Sequence, residues 1–82
     1  MLDIRYFAWL RERLGTERET VQTTAETVLD LVAELRGRGD AYAVVFADLA
    51  AIRVAVDQEL GGLDTPISDA HEVAFFPPMT GG

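Results

Sequence analysis

Alternation is the first signal along the chain. Leu2, Ile4, Tyr6 and Ala8 alternate with Asp3, Arg5 and Phe7, the period of two expected of a half-buried strand. Phe7 interrupts the polar face, which leaves one large ring directed away from the core. From Trp9 to Leu14 the spacing becomes helical and stops at Gly15, predicting a short helical turn or a tight connection. Arg18 to Thr23, with Val21 inward, returns as a second strand, and the two strands form a hairpin. The clearest helix follows: Val28, Leu31, Val32 and Leu35 fall at i, i+3, i+4 and i+7. Thr27 stands as N-cap with Asp30 in the first turn, and Thr23 with Glu26 forms a rival capping box one turn earlier. Arg36 and Arg38 suit the C-terminal end, and Gly37 and Gly39 supply the stop.

Residues 41–50 read two ways, as an Ala-rich helix or as an extended stretch around Val44, Val45 and Phe46. Ile52, Val54 and Val56 alternate with Arg53 and Ala55 as a third strand. Asp57-Gln58 makes a turn into Glu59-Leu60, and Gly61-Gly62, Asp64 and Pro66 mark a loop. Ile67 to Ala70 is a short connection. Glu72 to Phe76 is the last strand, ended by Pro77-Pro78, which cannot continue a central strand. The order is strand, strand, helix, strand, short strand, strand. It predicts an α+β domain, a mixed sheet with one main helix on one face and a right-handed crossover through that helix.

At 82 residues and 9.0 kDa the chain fits one domain. A domain this small hides only about 60–65% of the surface its unfolded chain exposes, so no large enclosed active site is expected. Fourteen acids against seven bases give a charge of −7. That argues against nucleic acid and anionic membrane as partners and favours a partner with a basic surface. No cysteine is present, which excludes disulfides and thiolate chemistry on this chain. The seven bases are all Arg, so there is no lysine for a Schiff base or a P-loop. The start carries no signal-peptide pattern and no apolar run approaches membrane length; a soluble, cytosolic protein is expected.

The usual catalytic constellations are missing from the sequence. His71 is the only histidine and reads as a surface turn residue. Ser68 sits between Ile67 and Asp69 rather than in a nucleophile elbow. Gly61-Gly62 belongs to no phosphate-binding motif, and the acids read as a solubilising face. A self-contained enzyme is not expected. The tail is the exception. Six residues follow Phe76, and at about 3.3 Å each they reach roughly 20 Å from the domain. Gly81-Gly82 has no side chain to obstruct a narrow channel. Its tip carries the Gly82 carboxylate, a group that becomes an acyl donor once adenylated. Gly-Gly alone is a weak signal, since chain ends ordinarily fray. Behind a Phe-Phe-Pro-Pro stop on a small α+β domain it is a stronger one.

The segment Phe75-Phe76-Pro77-Pro78-Met79-Thr80-Gly81-Gly82, preceded by Glu72-Val73-Ala74, resembles the C-terminal signature of the small subunits of molybdopterin synthase, sulfur carriers with the ubiquitin-like β-grasp fold. The likeness extends to Phe7-Ala8-Trp9-Leu10-Arg11-Glu12, to the helix opened by Thr27-Val28 with Leu31 and Leu35, and to Val54-Ala55-Val56-Asp57, where Asp57 replaces the usual Asn. Asp69-Ala70-His71-Glu72-Val73 also resembles the family, with Ala70 and His71 as departures that bear on turn geometry. The resemblance implies a β-grasp domain over 1–76 and a flexible tail over 77–82. It implies that Gly82 is adenylated, converted to a thiocarboxylate and used to sulfurate cyclic pyranopterin monophosphate. Met79, Thr80 and Gly81 would then enter the large catalytic subunit. An E1-like adenylating enzyme and a sulfurtransferase would be further partners, and ATP and the sulfur donor would be used through them, with no cofactor bound here. If the first and last strands are neighbours, Phe7, Phe76, Pro77 and Pro78 form one partner-binding patch, while Phe75 faces the core with Val73. Sulfur carriers for thiamine or cysteine synthesis, a protein modifier and a plain interaction module are the alternatives.

Overall fold

A computed structural model describes residues 1–78 of the chain. In order, it contains strand β1 (Leu2–Tyr6), helix α1 (Trp9–Leu14), β2 (Arg18–Val21), α2 (Val28–Arg36), α3 (Asp40–Val45), a 3-10 turn (Leu49–Ala51), β3 (Arg53–Val56), β4 (Glu59–Gly61) and β5 (Glu72–Phe76). The five strands form one sheet in the order β2-β1-β5-β3-β4. The first and last strands run parallel at its centre, and the other pairs are antiparallel. This mixed sheet, with its main helix α2 packed against one face, is the expected β-grasp arrangement.

Local chemistry explains the boundaries. In β1 the alternating residues Leu2, Ile4 and Tyr6 are buried. The alternation does not extend to Ala8 as the sequence suggested. Ala8 is exposed at φ 55°, because the chain turns there to start α1, and the amide of Leu10 donates to the carbonyl of Phe7. Gly15 closes α1 in the left-handed conformation at φ 74°, its N–H donating to the Arg11 carbonyl. β2 stops at Val21 rather than Thr23, since Val21 pairs with Leu2, the first residue of β1. Beyond it no partner strand remains. At α2 the choice of cap is resolved: Thr27 Oγ1 accepts from the Asp30 amide at 3.2 Å, whereas Thr23 Oγ1 accepts from the Ala25 amide.

Residues 41–50 are mostly helical, in α3 and the 3-10 turn. Their function is to deliver Val45 and Phe46 to the core. Phe46 meets Phe75 edge to face, with ring centroids 5.0 Å apart, and Phe75 stacks beside Tyr6 at 6.2 Å. Val28, Leu31, Val32 and Leu35 of α2 close over these rings and over Ile4, Val54 and Val73 of the sheet. A polar clamp seals the margin. The hydroxyls of Tyr6 and Tyr42 both donate to Glu19 Oε2, at 2.7 and 2.9 Å, and Arg38 reaches Glu19 Oε1 at 2.8 Å. Burial, reinforced by the Glu19 carboxylate, pushes both phenols above their ordinary pKa. The clamp therefore ties the first hairpin to α3 with protonated tyrosines.

Two adjacent phenylalanines should separate by stability. Phe75 is fully buried and Phe76 only half-buried. In urea denaturation Phe75→Ala is expected to lose about 3–5 kcal/mol. Phe76→Ala is expected to lose less than about half of that.

Candidate docking face and tail exit

The face of the sheet opposite α2 is set by register. Arg18 of β2 pairs with Arg5 of β1, Arg5 with Ala74 of β5, Ala74 with Ala55 of β3, and Ala55 with Leu60 of β4. These five residues therefore form one row across the open face. Small side chains occupy its centre, and larger ones stand around them: Phe7 past the end of β1, Phe76 at the end of β5, and Pro77 and Pro78 beyond. The result is a shallow groove of about 580 Å³ lined by Phe7, Ala55, Gln58, Glu72, Ala74, Phe76, Pro77 and Pro78. Ala74 forms its floor and is buried despite lying on the open face.

The structure thus brings together the four residues proposed from sequence as a patch, Phe7, Phe76, Pro77 and Pro78. Helix α1 does not cover Phe7, which stays 44% exposed, and Leu60 at the sheet edge is 80% exposed. The Phe7 amide donates to the Phe75 carbonyl at 3.1 Å. That bond continues the parallel β1–β5 ladder by one residue and holds Phe7 beside the tail exit. Sequence reasoning missed Ala55, Ala74, Gln58 and Leu60, because alanine carries no interface signal until register shows what surrounds it. The predicted tail residues Met79, Thr80, Gly81 and Gly82 lie outside the described residues.

The turn at the rim of the groove is also specified locally. Asp57 and Gln58 have φ values of 49° and 72°, the paired positive values of a type I′ hairpin turn. Asp57 is well suited to such a position, as Asn would be. Its Oδ1 accepts from the amides of His71 and Glu72, both at 2.9 Å, and its own amide donates to the Glu72 carbonyl. The Asp57 departure from the family pattern therefore leaves the turn intact, and His71 contributes its backbone from an exposed position. The two amide hydrogen bonds hold the Asp57 carboxyl below its ordinary pKa.

Chemically this face offers shape and apolar area rather than reactivity. Among the described residues no group of three or more His, Asp or Glu is arranged to hold a metal ion. Nor is any helix there long and apolar enough to cross a membrane. Exposed apolar surface around a hollow on a 9.0 kDa protein makes this face a candidate interface.

Comparison with known proteins places the chain. A family model described as the ThiS family matches residues 4–82. The chain belongs to the ThiS family. Among its relatives is the molybdopterin synthase sulfur carrier subunit of Escherichia coli (strain K12), 38% identical over 82 residues with all of both chains covered. The Haemophilus influenzae protein of the same name is 34% identical over 85 residues, again with both chains fully covered. Among solved structures, SAMP1 from Haloferax volcanii aligns with a TM-score of 0.76 at 30% identity, covering 99% of this chain and 98% of that one. The ubiquitin-like β-grasp fold of this ThiS-family protein follows from its own strand order and from that likeness.

Acid titration should expose the Asp57 clamp. A carboxyl with a depressed folded pKa contributes stability above its unfolded value, near 3.8, and loses it as pH falls through the folded value. Asp57→Asn keeps an acceptor oxygen and suits the turn, so its melting temperature is expected to fall less between pH 5 and pH 2 than that of the parent. Asp57→Ala is expected to melt lower than both at neutral pH.

Proposed function

We propose that this ThiS-family protein is the sulfur-carrier subunit of a molybdopterin synthase, with the Gly82 carboxylate as the group that carries sulfur. The observation that carries the reading is the match, over all of both chains, to two proteins named molybdopterin synthase sulfur carrier subunit. The geometry supports it, since the groove ends at Pro77 and Pro78, immediately before the Met79–Gly82 segment. A partner seated on the open face therefore stands where that segment begins.

The chemistry divides accordingly. A carboxylate is a poor electrophile because oxide is a poor leaving group. An E1-like partner supplies ATP. The Gly82 carboxylate attacks its α-phosphorus, pyrophosphate leaves, and an acyl-adenylate remains. A sulfurtransferase persulfide attacks the acyl carbon and AMP leaves; a thiol reductant then cleaves the acyl disulfide, taking the sulfurtransferase's own sulfur into a new disulfide and leaving a thiocarboxylate on Gly82. The thiocarboxylate then donates sulfur to cyclic pyranopterin monophosphate within the large catalytic subunit, in two rounds, to build the dithiolene. Met79, Thr80 and Gly81 thread the tip into that site, and Phe7, Phe76, Pro77 and Pro78 grip the partners. The carrier itself binds no cofactor. Sulfur carriage for thiamine or cysteine synthesis would use the same tail and differ in its partner. The likeness to SAMP1, a small archaeal modifier protein, favours a second reading, in which Gly82 forms isopeptide bonds on target lysines.

Intact-mass spectrometry separates these readings. With ATP, the activating enzyme and a sulfur donor, the C-terminal peptide is expected to gain a sulfur-for-oxygen increment. Adducts on other proteins without that increment would favour the modifier. A tag added after Gly82 is expected to abolish pterin sulfuration, whereas an N-terminal tag is expected to leave it intact; equal behaviour of the two tags contradicts the tail chemistry. Phe7→Asp is expected to weaken binding to the large subunit by about tenfold or more without lowering the melting temperature.

A further inference from the structure

The net charge of −7 points to a basic partner, but charge at the rim of the groove is arranged differently. Arg5, Arg11 and Arg18 converge with Tyr6, Phe7 and Glu17 on a notch of about 180 Å³. Phe7 forms a wall of both the notch and the apolar groove. The three arginines come from β1, α1 and β2, and the sharp turn at Ala8 folds α1 back so that Arg11 joins the other two.

Each of the three arginines has an acidic neighbour within the chain, but none is fully used by it. Arg5 and Arg18 are direct partners in the β1–β2 register, and like charges facing each other across strands destabilise a sheet. Both project from the open face, away from the core. Their internal ion pairs are loose. Arg18 Nη2 lies 3.3 Å from Asp3, and Arg11 Nη1 lies 3.7 Å from Glu17. Arg5 Nε lies 3.3 Å from Glu72, yet it is shielded from water and has no hydrogen-bond partner among the described residues. The carboxylate is close but poorly aligned with that N–H. Each pair engages one nitrogen of a guanidinium that offers five N–H donors, and the three arginine side chains remain 42–56% exposed. Such forks suit carboxylates.

We propose that the notch formed by Arg5, Arg11 and Arg18 receives one or more carboxylates from the protein partner that covers the apolar groove. The partner is therefore an apolar surface flanked by Asp or Glu on the side facing α1. Continuity through Phe7 makes this a single interface, and the proposal rests on the docking role of the groove. The chain's overall negative charge opposes an acidic partner at long range, so the local cluster sets orientation.

The test is binding to the large subunit of molybdopterin synthase at low and high salt. Arg11→Glu removes one fork, and Arg13→Glu, an exposed position on the same helix outside the notch, makes the same change in net charge. Arg11→Glu is expected to weaken binding by about tenfold or more and to flatten its salt dependence, while Arg13→Glu changes it by less than about threefold. If Arg11→Glu melts early, Arg11→Gln carries the comparison with a smaller expected loss. Equal weakening by the Arg11 and Arg13 variants overturns the notch, because net charge alone would explain it. Loss of binding in Phe7→Asp with Arg11→Glu neutral overturns the notch and leaves the docking reading standing. Full binding by Phe7→Asp overturns both.

Discussion

The parallel pairing of β1 with β5 is the constraint on which the rest of this molecule depends. The register sets Tyr6 opposite Phe75 and Arg5 opposite Ala74. With a side-chain period of two, the same register stacks Tyr6 and Phe75 inside and leaves Phe7 and Phe76 outside. A slip of one residue in either strand would send a ring meant for the core to the solvent face. Core and docking face are thus two consequences of one ladder. The amide of Phe7, donating to the Phe75 carbonyl, extends that ladder to the point where the tail begins.

Much of this was legible in the sequence, for identifiable reasons. β5 was bounded correctly because two prolines follow it, and α2 because four apolar residues at helical spacing sit between a Thr cap and a glycine. Phe7 was noticeable as an aromatic ring on the polar side of an alternating strand. Ala8 misled, since alanine fits a buried alternation as readily as the turn that occupies it. The helical nature of 41–50 stayed ambiguous because Val44, Val45 and Phe46 have strand propensity, and only the tertiary burial of Val45 and of Phe46, the latter against Phe75, decides in favour of helix. The groove floor and the arginine notch were not readable at all. Ala55 and Ala74 are 19 residues apart in sequence and Arg5 and Arg18 are 13 apart; only strand register makes them neighbours.

A 9.0 kDa chain with no cysteine, no lysine and one histidine has little with which to catalyse. It can nevertheless present a shaped surface and a tail that follows it. Separating recognition from reaction suits the proposed sulfur carrier, which on that reading visits an activating enzyme, a sulfur source and an acceptor site in turn. The same face can be gripped at each stop while the chemistry at the tip changes. The excess of acids disfavours self-association of the free chain, and three of its seven arginines form the notch proposed to set orientation.

Deletion of Gly81 and Gly82 separates recognition from reaction most directly. The truncated protein should bind the large subunit within about tenfold of the parent, because the groove remains, yet sulfurate no pterin when supplied with ATP, activating enzyme and sulfur donor. Pterin sulfuration by the truncated protein at the parent rate would contradict the account.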